Sequence, residues 1–471
     1  LLIYIFFAQT FFIKKIYMII GIDDTDSRSG MCTTYLCAVL VDELKRYGEV
    51  STPVLVRLNP CIPFKTRGNG AVAFEILINK VLEREVKDIV KARVIELSEL
   101  RAEGTNPGVV FIDDNASKAR KNNNQTQMIA DNQDLKYKKV GERHALYAIS
   151  AEKLKQFYET AVREVLKIED AYAIISELHL DYFGLKNKRG LIGALAAASF
   201  FLLQKRYDCT YELMAYRRKE RWGTTRIIEE ASVWAADEAT YPLVWDTVDV
   251  ANKKLVLVPH SPCPVLFGIR GDSVDAIYKA YGLIQAEPEG RKMLFITNQG
   301  TDCHLMNSEK LRDYHSYILD GVVGSNPRTV EGGHVLFSLS VAGVEVDCIA
   351  YEPTKGFRAI IRGLRTGDEV TVYGSLKKGT LNLEKIELRK LNLVVVRTPK
   401  CNNCGRNMKS AGRSQGYRCK RCGTFSVVKD KVIAERAIET GLYEVPPVAR
   451  RHISKPLVRM RMGDMIIHPS R

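Results

Sequence analysis

Acid is scarce relative to base in this sequence: 55 Asp and Glu stand against 70 Lys and Arg, a formal charge of +15. Such an excess makes a polyanion, most often nucleic acid, the natural partner. A generally basic soluble protein is the plain alternative. A full-length membrane signal is also missing. Leu1 to Phe12 is apolar, but a bilayer span needs about 20 apolar residues. No basic segment precedes that stretch and no small-residue cleavage site follows it, so no membrane partner is expected. Position 1 is Leu, not Met; the expected start is Met18, with residues 1–17 a non-native extension. Residues 113–139 are nearly free of large apolar groups and rich in Asn, Gln and Lys. They cannot bury enough surface to order themselves and read as an exposed insertion. The 11 cysteines do not look like a disulfide framework, because four sit in two CxxC pairs and seven are single. That usage suits a reducing cytoplasm and one metal site.

The 471 residues are too many for one ordinary domain and suggest about three or four. Met18–Ile22 reads as a strand and Met31–Tyr47 as a helix, with Leu36, Leu40 and Leu44 on one face and Gly48 as a stop. Strands follow at Val54–Leu58 and Ala71–Ile78, separated by the loop "NPCIPFKTRGNG". A charged helix then runs to about Leu100, and "GTNPGVVFID" returns as loop and strand. Alternation of this kind argues for an α/β or α+β unit. A long apolar helix begins at Gly190, and "TYELMAYR" is a strand. From Tyr314 to Leu393 about five short strands alternate with turns, which suits a small barrel resembling an OB-fold. Such barrels commonly bind single-stranded nucleic acid.

"CNNCG" and "CKRCG" place Cys401, Cys404, Cys419 and Cys422 in a C-x2-C, fourteen-residue, C-x2-C pattern. Four thiolates at this spacing predict a tetrahedral zinc site with no open position, hence structural Zn2+. Nine Lys or Arg and one acid lie between Arg397 and Asp430, so the ribbon also suits a phosphate backbone.

The stretch "GIDDTDSRSGMCTT" is a strand, a polar loop and a helix start, the usual make-up of a phosphate cradle, yet it carries Asp23, Asp24 and Asp26. Carboxylates beside phosphate repel it unless a cation intervenes, and Mg2+ is the hard cation for that task. Strand alternation would turn Asp24 and Asp26 to one side and Asp23 to the other. Ser27 to Gly30 can turn backbone N–H groups inward, and Thr33 and Thr34 sit where a helix N-terminus favours phosphate. Thr34, about 100° round the helix from Thr33, is expected to point elsewhere. The plainer reading of "DDTDS" is a turn with an Asx cap.

Resemblance favours the first reading. "GIDDTDSRSGMCTTYL", "LNPCIPFKTRGNGAVAF", "RGLIGALAA", "TYELMAYR", "CPVLFGIRG", "TNQGTDCH", "GGHVLFSL", the four-cysteine ribbon and "ARRHISKPL" resemble, in order, the archaeal 2-agmatinylcytidine synthetase family. The likeness runs from Met18 to about Leu457 and departs at residues 1–17 and at the Asn/Lys-rich insertion. It implies a kinase-like catalytic domain (18–185), a ferredoxin-like, agmatine-binding domain (186–305), an OB-fold (306–395), a zinc ribbon (396–430) and a basic tail (431–471). It implies joining of agmatine to C2 of the wobble cytidine of the CAU-anticodon isoleucine tRNA, with ATP ending as AMP and phosphate. The C2 oxygen would be phosphorylated first, and Thr33 matches a threonine on which the family phosphorylates itself. ATP and Mg2+ would be held by Asp23, Asp24, Thr25, Asp26, Ser27, Gly30 and Thr34, with Arg189 and Gly190 at the second helix start.

Further candidates are the basic loop Lys65, Thr66, Arg67, Gly68 and Asn69, for phosphate or tRNA. Glu212, Asp246 and Asp302 are candidates for the cationic ends of agmatine. The competing reading is a non-catalytic OB-fold and zinc-ribbon protein that binds single strands. It accounts for the barrel and ribbon but not for the aspartate loop.

Overall fold

The computed structural model describes residues 14–65, 68–113, 151–308, 310–460, 463 and 465–471. Residues 1–13, and the expected insertion beyond Asp113, lie outside them. The first strand is Lys15–Asp23. It starts three residues before Met18, pairs Lys15 with Asn79, and buries Ile16 completely. The boundary expected after residue 17 therefore cuts through this strand.

A ten-stranded sheet forms the body. Its order is Asp181–Gly184, Gly108–Asp113, Lys15–Asp23, Gly70–Asn79, Val54–Arg57, Glu289–Thr297, Thr210–Arg217, Val265–Gly271 and Val244–Trp245, with Gly48–Val50 added beside Gly70–Asn79. Every pairing is antiparallel except one: Val54 and Leu55 run parallel to Ile296 and Thr297. That junction fuses the two expected α/β units into one sheet.

Period-two alternation builds the faces. Ile16, Met18, Ile20 and Ile22 point to one side, against Leu36, Leu40 and Leu44 of helix Thr33–Leu44 and Val86, Val90 and Val94 of helix Glu83–Leu97. The other side buries Ile19, Val54, Val56, Ala71 and Val110 under residues of 151–163, Ile168–Glu177 and Leu191–Leu203. The last of these is apolar all round because it is buried all round: Leu191 to Phe200 are buried without a break. Gly21 lets it cross the first strand closely, since a side chain there would run into the backbone of Ala194.

Residues 316–390 form a closed five-strand barrel. Ser316–Val323 pairs with Val335–Val341, which pairs with Val344–Ala350. Val344–Ala350 runs parallel to Thr380–Lys390, and Glu369–Lys377 bridges back to Ser316–Val323. Phe357 and Ile361, from helix Phe357–Arg362, plug its core. The cysteine ribbon is closed at its neck by Val394–Arg397 pairing with Asp430–Ile433. Beyond it the chain returns: Gly441–Glu444 adds to Thr380–Lys390 and Ile467–His468 adds to Gly441–Glu444. The C-terminal segment is packed, with Ile453, Ser454 and Leu457 buried. Among the described residues no helix is long and apolar enough to cross a membrane.

Candidate active site

The first strand ends at Asp23, and Asp24 takes a left-handed backbone (φ 58°). Strand alternation stops there, so the expected split of the carboxylates does not occur. Asp23, Asp24 and Asp26 all line one cavity of about 500 Å³. Helix Thr33–Leu44 meets this cavity with its N-terminal end. Thr33 and Thr34 therefore both face it, which corrects the expectation that Thr34 points away. Cys32 holds the N-cap position without a side-chain cap. Thr33 Oγ1 accepts a hydrogen bond from the buried Thr25 hydroxyl (3.1 Å), and Thr34 Oγ1 lies 3.0 Å from Cys32 Sγ.

The rest of the loop is scaffold. The Ser27 N–H donates to the Gly30 carbonyl (3.1 Å), and the Ser27 and Ser29 hydroxyls are 2.8 Å apart. The Ser27 N–H expected to cradle phosphate is thus used within the turn. Thr105 Oγ1 donates to the Asp26 carbonyl (2.7 Å), and the Glu99 N–H to the Thr25 carbonyl (3.0 Å). Thr25, Ser27 and Gly30 are not on the cavity wall; they hold the aspartates in place.

Helix Leu191–Leu203 aims its N-terminus at the same carboxylates. A side chain on Gly193 would overlap the Asp23 carboxylate, and one on Gly190 would come within 2.6 Å of the Asp23 carbonyl oxygen. These two glycines explain the "RGLIGA" motif as a close-approach device. Arg189, beside them, lines the cavity and faces Asp23 and Asp24. Burial, with the charges of Asp24 and Asp26, pushes the Asp23 carboxyl well above the usual carboxylate range. Burial and Asp26 raise Asp24 to about 6, against hydrogen bonds from Asn106 and the charge of Arg189.

Lys65, Gly68 and Asn69 of the basic loop reach the cavity; Thr66 and Arg67 lie outside the described residues. Lys65 Nζ donates to the Pro60 carbonyl. At the far end the three agmatine candidates separate. Glu212 lines the cavity, 3.8 Å from Arg57 and hydrogen-bonded by Gln299. Asp246 is held instead by Arg270 (3.7 Å) and Arg450, off the cavity wall. Asp302 is also off it, paired with the buried Lys385 of the barrel (2.8 Å) and accepting from the Lys455 N–H (2.7 Å). Both carboxylates are held away from the cavity that Glu212 lines, which takes them out of reach of a substrate there.

Among the wall residues that escaped the sequence reading are Arg57, Arg270, Arg450 and His452. Enclosure within the cavity and the charges of Arg57 and Arg270 hold the His452 ring well below the usual histidine range. "ARRHISKPL" drew attention only as a family motif, because nothing local shows that Arg450 and His452 return to a cavity begun at Asp23.

The ribbon brings Cys401, Cys404, Cys419 and Cys422 together with all four Sγ atoms within 4.8 Å of one another. None is in a disulfide.

Carboxylates gathered at a strand end and two helix N-termini, with a barrel and a four-cysteine ribbon on the same chain, define a multidomain α/β protein with an acidic cavity. Three family models match it: the TiaS TCKD domain over residues 19–187, the TiaS FLD domain over 188–304, and the TiaS C-terminal zinc ribbon domain over 398–438. The chain belongs to the TiaS family. It is 48% identical over 460 residues to the isoleucine-tRNA 2-agmatinylcytidine synthetase TiaS of Methanosarcina mazei, covering 96% of this chain and 100% of that one. The synthetase of Archaeoglobus fulgidus is 45% identical over 449 residues, covering 94% and 97%. Among solved structures, a complex of TiaS with its isoleucine tRNA and ATP superposes with a TM-score of 0.81 at 44% identity, covering 96% and 99%. A complex of TiaS with that tRNA, AMPCPP and agmatine gives 0.79 at 41%, with the same coverage.

Proposed function

We propose that this protein is an ATP-dependent ligase that joins agmatine to C2 of the wobble cytidine in the CAU-anticodon isoleucine tRNA, so that the anticodon reads AUA. The observation that carries this reading is the convergence of Asp23, Asp24, Asp26 and Arg189 on one cavity, in a chain that matches isoleucine-tRNA 2-agmatinylcytidine synthetases from end to end.

The donor set fits Mg2+: three carboxylates gathered on one cavity wall, with Asp23 and Asp24 raised in pKa by burial and by their acidic neighbours, form a site whose charge a divalent cation relieves. Bound there, Mg2+ would neutralise charge on the phosphates of ATP. Asp24 and Asp26 would hold it. Arg189 and the helix start behind it would take phosphate oxygens, and Thr33 would present its hydroxyl to the phosphoryl group. Transfer to the C2 oxygen of cytidine converts a poor leaving group into phosphate. The agmatine amine, once deprotonated, then forms the C2–N bond as phosphate departs. Glu212 is the carboxylate of this cavity that suits a cationic end of agmatine. Four thiolates with no open position suit structural Zn2+, and a tRNA substrate goes with a cytoplasmic location.

Strand order favours two of the expected units, the ferredoxin-like one and the OB-fold. Strands Thr210–Arg217, Val244–Trp245, Val265–Gly271 and Glu289–Thr297, with helices Glu230–Thr240 and Val274–Leu283, follow the β-α-β-β-α-β order of a ferredoxin-like unit. They lie in the sheet as fourth, first, third, second. The barrel carries its helix between the third and fourth strands and its parallel pairing between third and fifth, as in an OB-fold. Residues 18–185 are the proposed kinase-like domain, 396–430 the ribbon, and 431–471 the segment that returns to the cavity.

The test is incubation with Mg·ATP, agmatine and the CAU-anticodon transcript, followed by nuclease digestion and mass spectrometry. The wobble nucleoside must gain the mass of agmatine less water. An unmodified cytidine beside consumed or intact ATP would reject the reading.

A further inference from the structure

Phe64 is the only Phe, Tyr or Trp among the described residues that line the cavity. The residue is 58% exposed. One face is backed by Arg189, whose guanidinium carbon lies 4.3 Å from the ring centroid, a cation–π contact. Arg189 is itself fixed: its backbone N–H donates to Asn187 Oδ1 (2.9 Å), and its charge faces Asp23 and Asp24. The loop that carries Phe64 is tied at its neck. Asn69 Nδ2 donates to the Asn59 carbonyl (2.9 Å), and the Leu58 N–H to the Asn69 carbonyl (3.0 Å). Asn59 Nδ2 in turn donates to the Tyr314 carbonyl (2.9 Å), and Asn59 Oδ1 accepts from the Cys61 N–H (2.9 Å).

A flat apolar ring is thus braced from behind by the arginine that faces the carboxylates. It sits on a loop tied at its base, at the wall of the cavity. We propose that Phe64 is the stacking platform for a nucleobase in this cavity, with Arg189 holding the ring while the exposed face takes the base. The inference rests on the reading above, which brings two nucleobases here: the adenine of ATP, and the target cytosine, which must leave its stack to be modified. Either offers the π-face that an aromatic side chain accepts without regard to base identity. Lys65, next to Phe64 and also on the wall, suits the phosphate attached to such a base.

The experiment compares Phe64→Leu and Phe64→Tyr with the parent in the full chain. ATP binding is measured by equilibrium dialysis with Mg2+ and no tRNA. Single-turnover agmatine incorporation is measured with saturating ATP over a range of transcript concentrations. Phe64→Leu should weaken one of the two by about 10- to 100-fold, the usual effect of losing a base–aromatic stack, with an unchanged thermal midpoint because the residue is exposed. Phe64→Tyr should stay within about threefold, since its π-face survives. Loss of ATP affinity assigns the platform to adenine; slower incorporation with intact ATP affinity assigns it to cytosine. The proposal is overturned if Phe64→Leu changes neither quantity, or if Phe64→Tyr falls as far as Phe64→Leu. A parent protein that binds ATP but modifies no transcript would sink the functional reading instead, and the dialysis arm would still test stacking on adenine.

Discussion

The carboxylate of Asp23 lies directly against the Cα of Gly193, with no room for a methyl group between them. The end of the first strand and the start of helix Leu191–Leu203 are therefore locked together by a contact only glycine permits. Gly193→Ala must displace either the carboxylate or the helix. Overpacking of this kind costs ~1–3 kcal/mol, so the thermal midpoint should fall and ATP turnover should collapse with it. Full turnover in a variant that melts like the parent would show that Asp23 has freedom the packing denies it.

Asp24 ties stability to activity with opposite signs. Its folded pKa of about 6 exceeds the unfolded value of 3.8, so the folded state binds the extra proton. Without Mg2+, the contribution of Asp24 to stability should fall as pH rises from about 4 to 6 and then level off. Asp24→Asn should remove the Asp24 share of that slope, leaving the share of Asp23, and add on the order of 2 kcal/mol at pH 7. The same change should abolish ATP turnover, as should Asp26→Ala, with little effect on tRNA affinity. Denaturant titrations at several pH values, beside ATPase and filter-binding assays, check each part.

Thr33 is expected to take label from γ-labelled ATP in the presence of Mg2+. Thr33→Ala should lose the label and Thr33→Ser keep much of it. Thr34 shares the cavity wall, so peptide mapping must separate the two: label on Thr34 alone would move the acceptor by one residue.

Asp302→Ala leaves Lys385, 1% exposed at its side chain, without its carboxylate. Removing one member of a buried pair costs ~3–5 kcal/mol. The loss should appear as a lower thermal midpoint and a loosened barrel, while KM for agmatine in the surviving folded fraction stays put. A large rise in that KM with unchanged stability would return Asp302 to the substrate pocket.

Cys404→Ala should drop bound zinc from about one equivalent towards zero, measured by metal analysis of the purified chain. Transcript affinity should weaken and become less dependent on salt, because the basic ribbon supplies phosphate contacts. ATP binding in the cavity should survive, since the ribbon cysteines contribute nothing to its wall.

Local patterns were legible because short-range physics writes them. A short apolar run gave away the first strand, and the C-x2-C pairs gave away the ribbon. The all-apolar run from Leu191 announced a helix buried on every side. The aspartate loop could be recognised as a cation platform, but the facing of its side chains could not. That depended on the left-handed turn at Asp24, which breaks the alternation a continuing strand would have imposed.

What the sequence by itself determined was the set of parts: an α/β body with three carboxylates at a strand end, a run of short strands that closes, four thiols at zinc spacing, and a basic surplus. What only the tertiary structure decided was which distant groups share the cavity. The parallel pairing of Val54 and Leu55 with Ile296 and Thr297 brings Arg57 beside Glu212. The return of the chain after the ribbon delivers Arg450 and His452 to the same wall. The same packing commits Asp246 and Asp302 to buried cations, although in the sequence they look no different from Glu212. The reason is that a carboxylate's role is set by where the fold places it, and its neighbours come from segments as far as 204 residues away, as Arg450 does for Asp246.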